Sequence, residues 1–206
     1  VSDIASFFHA ANIRPALAET PWAAETASQR ERYLAFRAPR KVDTEINMST
    51  FWSDLADQLP PNTLLTMGAG NYTHWILRHF HFHRFGTLLA PICAPMGYAV
   101  PAAVAASRRF PDRLVVSCSG DGCFLMNGQE LATAAQYSAN ILFLVINNGL
   151  YGSVRMHQEL RYPGRPYATN LTNPDFAALA TAYGLPSTSV TTTAELTAAL
   201  GPMITS

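Results

Sequence analysis

The chain has 206 residues, of which 49% are hydrophobic and 14% are charged, so it can bury one sizeable core but has few charges for a freestanding surface. Fourteen basic residues balance fourteen acidic ones, which argues against binding to nucleic acid or to an anionic membrane. Its apolar runs are too short to span a bilayer, it begins without a signal-peptide pattern, and its three cysteines suit a reducing compartment. We therefore expect a cytoplasmic protein whose surface is partly covered by other protein.

Residues 1–45 are predicted to be a linker and the tail of a preceding domain. Residues 22–36 are polar and charged, which is typical of a solvated helix. Residues 37–44 are rich in charge and mark the boundary of the tail. We therefore expect one compact domain over residues 46–206.

The compact domain opens with a predicted helix and a predicted strand that ends in glycines. Ser49 is expected to cap a helix that runs to about Gln58, and residues 64–67 are expected to form the first strand. This strand leads into the turn 68–72, which has the sequence GAGNY. By itself the turn is weak evidence of function, because two glycines after a strand are common turn material.

Three histidines at alternate positions form the next feature, and they are His79, His81 and His83. On a strand, their imidazoles would share one face of the sheet. A metal site is one interpretation, but no carboxylate or cysteine accompanies them. We prefer a polar surface or a face that contacts another subunit.

Residues 88–101 form an apolar stretch that leads into a helix of small residues. The stretch ends in the sequence MGYAVP, which begins at Met96, and Pro101 is well suited to the first turn of the helix. Met96 could fill the core or serve a functional site. Both interpretations are open on the residues alone.

The centre of the chain is a predicted strand–helix–strand unit. One apolar run ends in the sequence GDG, with Asp121 in the middle, and the next apolar run ends in the sequence NN, with Asn148 second. One helix, capped by Asn127 and Glu130, is predicted between them. A right-handed crossover makes two such strands parallel and usually adjacent. We therefore expect Asp121 and Asn148 to meet at the same carboxyl edge of one sheet.

Asp121, Asn148 and a nearby main-chain carbonyl would offer hard oxygen ligands to a metal ion. Such ligands suit Mg²⁺ or Ca²⁺ and not a thiophilic metal. Because Mg²⁺ with few protein ligands completes its octahedron with phosphate oxygens and water, a diphosphate is implied. The glycines beside Asp121 would let the backbone approach that diphosphate, and the helix that follows would offer it N–H groups.

The remaining residues are predicted to complete an α/β domain. Residues 153–170 form a long irregular segment with several arginines, any of which could bind a substrate carboxylate. A helix is predicted over 173–182, a strand over 187–190 and a last helix over 192–201. One more partner strand would then be expected, so the domain is predicted to be truncated before its last strand. The fold class predicted from all these elements is α/β: three layers, doubly wound, with a mainly parallel sheet and helices on both faces.

These motifs together resemble a known enzyme family. GDG at residues 120–122, followed about two dozen residues later by NN at residues 147–148, is similar to the signature of thiamine-diphosphate-dependent enzymes, in the family of acetolactate synthases and related 2-oxo acid decarboxylases. The sequence MGYAVPAA at residues 96–103 is similar to the second hallmark of that family. The resemblance covers residues 46–200 and is to the C-terminal, diphosphate-binding domain.

The resemblance implies a set of site residues. Asp121, Asn148 and the carbonyl of Leu150 would hold Mg²⁺. Met96 would be the bulky support that folds the two rings of the cofactor together. The cofactor-binding residues that it implies are Gly70, Asn71, Tyr72, Ala94, Met96, Gly120, Asp121, Gly122, Cys123, Asn148, Tyr151 and Gly152. No catalytic residue is expected in this chain, because the activating glutamate of the family belongs to the absent N-terminal domain.

The resemblance also implies an activity and partners. It implies an enzyme that binds thiamine diphosphate and Mg²⁺ and acts on 2-oxo acids by decarboxylation, carboligation or both. Because the cofactor of the family lies between domains of two subunits, we expect a homodimer or homotetramer, with the aminopyrimidine-binding domain of a second subunit as partner. The chain by itself would be inactive. Binding of FAD in a middle domain is left open.

Two other classes of protein remain open at this point. A binding or regulatory module could retain the cofactor fold without catalysis. A dinucleotide-dependent oxidoreductase also uses a glycine-rich turn after a strand, but the chain has no GxGxxG followed by an acid about 20 residues later, and the NN pair would have no role.

Overall fold

The computed structural model describes residues 22–205. Contacts divide the chain into two units, Val1–Ala38 and Pro39–Ser206. The first 21 residues, which belong to the predicted tail, lie outside the described residues. The predicted domain boundary between residues 45 and 46 stays a prediction.

The described part of the first unit is a single solvent-facing helix. Helix α1 covers Ala23–Arg37 and buries none of its side chains. The guanidinium groups of Arg30 and Arg37 lie 5.6 and 5.3 Å from the centre of the Tyr33 ring. The exposed side chains agree with the solvated helix that its polar composition predicts.

The second unit alternates strands and helices. Its strands are β1 (Leu64–Met67), β2 (Leu88–Leu89), β3 (Val115–Gly120) and β4 (Ile141–Ile146). Its helices are α2 (Met48–Gln58), α3 (Tyr72–His79), α4 (Ala99–Arg109), α5 (Asp121–Asn127), α6 (Leu131–Gln136), α7 (Gly152–Arg161), α8 (Phe176–Ala182) and α9 (Thr193–Thr205). A short 3₁₀ turn, Gly128–Glu130, joins α5 to α6.

The four strands form one parallel sheet in the order β2-β1-β3-β4. The central pair is aligned so that Met67 lies opposite Cys118, and Gly120 at the end of β3 lies opposite Ile146 at the end of β4. The loops that follow these strands therefore emerge at the same edge. This confirms the predicted parallel crossover between the GDG and NN motifs.

One face of the sheet packs against α2 and α3. Leu65 and Val116 share a core cluster there with Trp52, Leu55 and Ile76, and each of these side chains is at most 1% exposed. A fully buried aliphatic side chain contributes about 1.5–3 kcal/mol to folding. This cluster is the main core of the domain.

The opposite face of the sheet packs against α4. Leu64 and Val115, the neighbours in sequence of the residues that face α2 and α3, contact Ala103 and Ala106. Small side chains on α4 let the helix lie close to the strands, which explains the run of alanines in this part of the sequence. Helices on both faces confirm the predicted three-layer α/β fold.

Two predicted helix caps are wrong. Helix α2 is capped by Asn47 and not by Ser49, because Asn47 Oδ1 accepts hydrogen bonds from Ser49 N (3.0 Å) and Thr50 N (3.3 Å). The central unit has two helices where one was predicted: α5 begins at Asp121, directly after β3, and the 3₁₀ turn then leads into α6 at Leu131. Asn127 donates instead from Nδ2 to the carbonyl of Gly97 at 2.9 Å, so its polar group holds a loop and caps no helix.

The predicted strand at residues 187–190 is also wrong. The segment has no regular structure, and the hydroxyl of Ser187 donates to the carbonyl of Ala177 in α8 at 2.7 Å. An apolar cavity of about 460 Å³ is lined by this segment and by β4. A segment forms a strand only where a neighbouring strand can pair with it. Here the segment is hydrogen-bonded to α8, and a cavity lies between it and β4.

The three histidines do not lie on a strand. His79 is the last residue of α3 and is 3% exposed, so the predicted surface position is wrong for this residue. Its ring stacks on Trp75, with 5.9 Å between ring centres. His81 and His83 follow the helix with exposed side chains. The His81 and His83 rings lie with 4.6 Å between their centres, whereas the His79 ring is stacked within the helix. The three imidazoles therefore do not form the single aligned row that a strand would give.

No helix within residues 22–205 is both long enough and apolar enough to cross a membrane.

Candidate cofactor site

Loops from the carboxyl ends of the strands surround a cavity of about 140 Å³. The loops after β1, β3 and β4 contribute most of its wall, and Met96 reaches it from the loop after β2. The predicted site residues that line it are Gly70, Asn71, Tyr72, Met96, Gly120, Asp121, Gly122, Cys123, Asn148, Leu150, Tyr151 and Gly152. Ala94 is the predicted contact that does not line the cavity.

Asp121 is a buried carboxylate held by neutral donors. Its side chain belongs to a residue only 2% exposed. Oδ1 accepts a hydrogen bond from Gly122 N at 2.9 Å, and Oδ2 accepts from Gly149 N at 2.8 Å and from Asn173 Nδ2 at 2.7 Å. A buried charge is costly unless it is paired or coordinates a metal. The arrangement therefore favours a cation near this carboxylate.

The turn after β4 brings two further oxygen groups to the same edge. Asn148 Oδ1 accepts from Leu150 N at 3.1 Å, and Gly149 has φ of +67° in the bend between them. Gly149 O and Tyr151 N both bond to the segment 169–171. Because main-chain groups alternate in direction along an extended segment, the carbonyl of Leu150 lies on the side away from that segment.

Glycines allow close packing in the wall of the cavity. A Cβ atom on Gly122 would lie 2.6 Å from the ring of Tyr151, and one on Gly152 would lie 3.2 Å from Nδ2 of Asn148. Gly70 has φ of +136°, which favours glycine for its backbone alone. A side chain at Gly122 or Gly152 would therefore displace residues that line the cavity.

The first and last loops are joined by a hydrogen bond that the sequence did not indicate. Ser153 Oγ donates to Asn71 Oδ1 at 2.8 Å. Ser153 lies in the first turn of α7, within the segment 153–170 that was predicted to be irregular. That prediction is wrong for residues 153–161, which are helical, whereas residues 162–170 have no helix or strand. The start of a regular helix, with its unpaired N–H groups, therefore faces the cavity.

The hydroxyl of Tyr72 is directed into the core and not into the cavity. It accepts from Gly68 N at 2.9 Å and donates to the carbonyl of Cys118 at 3.2 Å. Burial raises the pKa of Tyr72, so the phenol stays neutral. Tyr72 therefore lines the cavity with its ring, and its polar atom is engaged with backbone groups.

The two cysteines near the site are buried thiols. Cys123 Sγ donates to the carbonyl of Ala69 at 2.8 Å, and burial raises its pKa. Burial also raises the pKa of Cys118, which is fully enclosed in β3. Neither sulfur is a thiolate near neutral pH, so nucleophilic chemistry at these cysteines is disfavoured.

Met96 presents an exposed sulfur side chain to the cavity, since 38% of the residue is exposed. The next residue, Gly97, has φ of +85°, and a Cβ there would lie 2.7 Å from Cβ of Met126. The loop is therefore pressed onto α5, and Met96 stands free of the core. On the same loop, Ala94 has φ of +49°, a conformation that glycine adopts more readily.

Asn173 is a site residue that the sequence did not identify. Its Nδ2 donates to Asp121 Oδ2 at 2.7 Å and to Asn147 Oδ1 at 2.8 Å. Its own Oδ1 is buried without a hydrogen-bond partner. The sequence pattern placed Asn173 only at the start of a helix, and nothing in local spacing links it to Asp121, 52 residues away.

The residues present fit a magnesium diphosphate group. A carboxylate, an amide oxygen and a main-chain carbonyl are the ligand types that Mg²⁺ prefers. Gly122 and Gly152 pack so closely against Tyr151 and Asn148 that a Cβ at either position would displace a residue of the cavity wall. Within residues 22–205, no group of three or more His, Cys, Asp or Glu side chains is arranged to hold a metal ion.

Comparisons with known proteins agree with this site. Residues 68–206 match the family model described as "Thiamine pyrophosphate enzyme, C-terminal TPP binding domain", thiamine pyrophosphate being another name for thiamine diphosphate. The chain is 38% identical over 152 residues to the acetolactate synthase large subunit of Corynebacterium glutamicum, covering 71% of this chain and 24% of that protein. It is 34% identical over 154 residues to the acetolactate synthase isozyme 2 large subunit of Escherichia coli, covering 74% of this chain and 28% of that protein.

A third relative and a solved structure extend the comparison. The mitochondrial acetolactate synthase catalytic subunit of Aspergillus candidus is 37% identical over 134 residues, which is 65% of this chain and 19% of that protein. The chain thus spans 19% to 28% of the length of these relatives. The thiamine diphosphate-dependent 4-hydroxybenzoylformate decarboxylase of Rhodococcus jostii RHA1 superposes with a TM-score of 0.76 at 24% identity over 83% of this chain and 32% of that one, which shows a shared fold.

The site geometry and the family match therefore lead to one conclusion: the chain belongs to the family of thiamine pyrophosphate enzymes and carries their C-terminal thiamine-pyrophosphate-binding domain.

Proposed function

We propose that the chain is the diphosphate-binding domain of an acetolactate-synthase-like enzyme that depends on thiamine diphosphate and Mg²⁺ and acts on 2-oxo acids. The observation that carries this proposal is the buried Asp121 carboxylate, which lies at the carboxyl edge of the sheet with only neutral hydrogen-bond donors, beside Asn148 and Leu150. These residues would hold Mg²⁺ through the Asp121 carboxylate, the Asn148 amide oxygen and the Leu150 carbonyl.

The other predicted residues would bind and shape the cofactor. Gly120, Gly122 and Gly152 would let main chain approach the diphosphate, and Asn71 would be positioned for the same group by Ser153. Met96 would support the two rings of the cofactor, in keeping with its exposed side chain. Gly70, Tyr72, Cys123 and Tyr151 would complete the wall, and Ala94 would contribute through its main chain.

When bound, thiamine diphosphate supplies a carbon nucleophile and an electron sink for chemistry at the keto carbon of a 2-oxo acid. The names of the relatives, acetolactate synthase and 4-hydroxybenzoylformate decarboxylase, support a reaction of this class. Arg155, Arg161 and Arg165 do not line the cavity, and Arg155 is paired with Glu159 at 2.8 Å. We therefore assign none of them to the carboxylate of the substrate.

The role of this chain is to anchor the cofactor, and the activating glutamate would come from another domain. We propose that the aminopyrimidine-binding domain of a second subunit completes the site, so that the enzyme is a homo-oligomer located in the cytoplasm and the isolated chain is inactive. The domain would extend over residues 46–206, with residues 1–45 as a linker.

The experiment that tests the proposed function uses the full-length protein. Asp121→Ala should abolish retention of Mg²⁺ and thiamine diphosphate, measured by calorimetric titration, and should abolish release of carbon dioxide from pyruvate or another 2-oxo acid, because it removes the one carboxylate of the predicted metal shell. His81→Ala is the control, since His81 is exposed and does not line the cavity. It should leave both measurements near those of the parent.

Two results would contradict this proposal. Equal loss of cofactor in the two variants would show that Asp121 has no special role. Tight cofactor binding by the parent without turnover of any 2-oxo acid would favour a non-catalytic binding module.

A further inference from the structure

The side chain of Asn173 connects the two loops that carry the proposed metal ligands. Its NH₂ group, on Nδ2, donates one hydrogen bond to Asp121 after β3, at 2.7 Å, and one to Asn147 after β4, at 2.8 Å. Asn173 itself precedes α8, far along the chain from both. A single amide group thus spans the carboxyl ends of two adjacent strands.

The hydrogen bonds of Asp121 divide unequally between its two oxygens. Oδ2 accepts from both Gly149 N and Asn173 Nδ2, whereas Oδ1 accepts from Gly122 N alone. Each carboxylate oxygen has about two acceptor positions. Asn173 therefore fills the remaining position on Oδ2, and Oδ1 keeps one for a cation.

The orientation of the Asn173 amide depends on the charge of Asp121. If the amide were reversed, its oxygen would face a carboxylate oxygen at 2.7 Å and two acceptors would repel each other. In the observed orientation Oδ1 of Asn173 is buried without a partner, which is unfavourable in itself. The two bonds made by Nδ2 therefore decide how this side chain is placed.

The same amide also holds the turn that carries Asn148. Asn147 Oδ1 accepts from Asn173 Nδ2 and, at 3.3 Å, from Gly149 N. Gly149 N also donates to Asp121. Asp121, Asn147, Gly149 and Asn173 therefore form one closed set of hydrogen bonds beneath the proposed ligands.

We propose that Asn173 is a positioning residue for Mg²⁺, which fixes the plane of the Asp121 carboxylate and the turn bearing Asn148 so that their oxygens face one ion. This inference rests on the proposed function, because it assigns a role toward the same metal. Outer residues that orient metal ligands generally change metal affinity by about 10- to 100-fold when they are removed.

The test is a Mg²⁺ titration of the full-length protein at saturating thiamine diphosphate, in which binding is measured by calorimetry. Asn173→Ala should raise the Kd for Mg²⁺ by about 10- to 100-fold, and saturating Mg²⁺ should restore kcat to near the parent value. Asn140→Ala is the matched control, because Asn140 is an exposed asparagine that precedes β4 at the opposite edge of the sheet. Its Kd should equal that of the parent.

A second measurement needs neither metal nor activity. In metal-free protein, amide hydrogen exchange over residues 147–151 should be faster in Asn173→Ala than in the parent, while exchange in β1 should be unchanged. If Asn173→Ala does not melt cooperatively, both measurements are made on Asn173→Ser, which keeps a shorter polar group at this position.

The outcomes separate the two proposals. A folded Asn173 variant whose Kd for Mg²⁺ stays within about twofold of the parent overturns the positioning role and leaves the proposed function intact. A variant that exchanges faster throughout the domain also overturns it, because Asn173 would then support the fold in general. A parent protein that binds no Mg²⁺ with thiamine diphosphate overturns the proposed function itself.

Discussion

At the scale of single residues, the site is defined by groups whose polar partners are fixed by the fold. Asp121 has three neutral donors and no more than 2% exposure, whereas Asn148 is exposed and bonds only within its own turn. The Asp121 carboxylate is therefore held by groups from three parts of the chain, whereas the Asn148 side chain is held by its own turn.

Ala94 gives a prediction about stability at this scale. Its φ of +49° lies in the left-handed region, which costs a residue with a Cβ about 1–2 kcal/mol. Ala94→Gly removes that cost but adds unfolded-chain entropy, so we expect the free energy of unfolding to rise by about 0.5–1 kcal/mol. Urea denaturation measures the change.

The control for Ala94 is an alanine with ordinary helical geometry. Ala105 is exposed within α4, so Ala105→Gly should lower the free energy of unfolding by about 0.5–1 kcal/mol. If both substitutions are destabilising to the same degree, the backbone of Ala94 is not strained.

At the scale of elements, the site depends on how closely the loops after β3 and β4 approach each other. Gly122 lies at the start of α5 and Tyr151 precedes α7, and a Cβ on Gly122 would lie 2.6 Å from the tyrosine ring. That ring belongs to the wall of the cavity. The two helices can therefore start beside each other only because the second residue of α5 is glycine.

Gly122→Ala is the prediction for this contact. We expect the Tyr151 ring to be displaced and the affinity for thiamine diphosphate to fall at least tenfold, in line with the roughly 1–3 kcal/mol that overpacking generally costs. Titration of the full-length protein with thiamine diphosphate and Mg²⁺ measures the affinity. Gly201→Ala is the control, because a Cβ there meets nothing within 4 Å, and an unchanged affinity for both variants would contradict the close approach.

At the scale of the whole molecule, the parallel sheet places every cofactor loop at one edge and encloses neutral thiol and phenol groups beneath it. Burial raises the pKa of Cys118 and the pKa of Tyr72. Below the ordinary pKa of a cysteine, about 8.5, both the folded and the unfolded chain keep these protons. Above it, the unfolded chain loses them while the folded chain retains them, so deprotonation favours unfolding.

We therefore predict that stability falls as the pH rises above about 8.5, with a second contribution from Tyr72 above about pH 10. Each group should lower the free energy of unfolding by about 1.4 kcal/mol per pH unit in its range. Urea denaturation at pH 7, 9 and 10 measures the slope. Cys118→Ala should reduce it, and Cys93→Ala, which removes an exposed thiol, should not; an equal effect of both would contradict the role of burial.

Local patterns were sufficient to predict much of this fold. The strands Leu64–Met67 and Ile141–Ile146 lie where the apolar runs placed them, because continuous apolar runs bounded by turn residues are typical of buried parallel strands. The helix starts were less predictable. Ser49 and Asn47 are both good caps by type, and only the conformation of the chain before α2 decides which side chain faces the free N–H groups.

The strand predicted at residues 187–190 shows a second limit. Its residues have the composition of a strand, but a strand also needs a partner at the correct distance, and the segment is bound to α8 instead. Composition does not specify such a distance. The same reason explains why His79 was placed on a surface, since its stacking on Trp75 requires a helix at that point.

Local motifs were enough to predict the family, the parallel crossover and most of the residues that line the cavity, Ala94 excepted, because glycines, an acid and amides at the ends of parallel strands lie at one edge of the sheet. Tertiary structure alone decided which side chains support them. Asn173 and Ser153 reach Asp121 and Asn71 across 52 and 82 residues of chain, and contacts at such separation depend on the packing of whole elements. The direction of the Tyr72 hydroxyl, into the core and not toward the cavity, was decided in the same way.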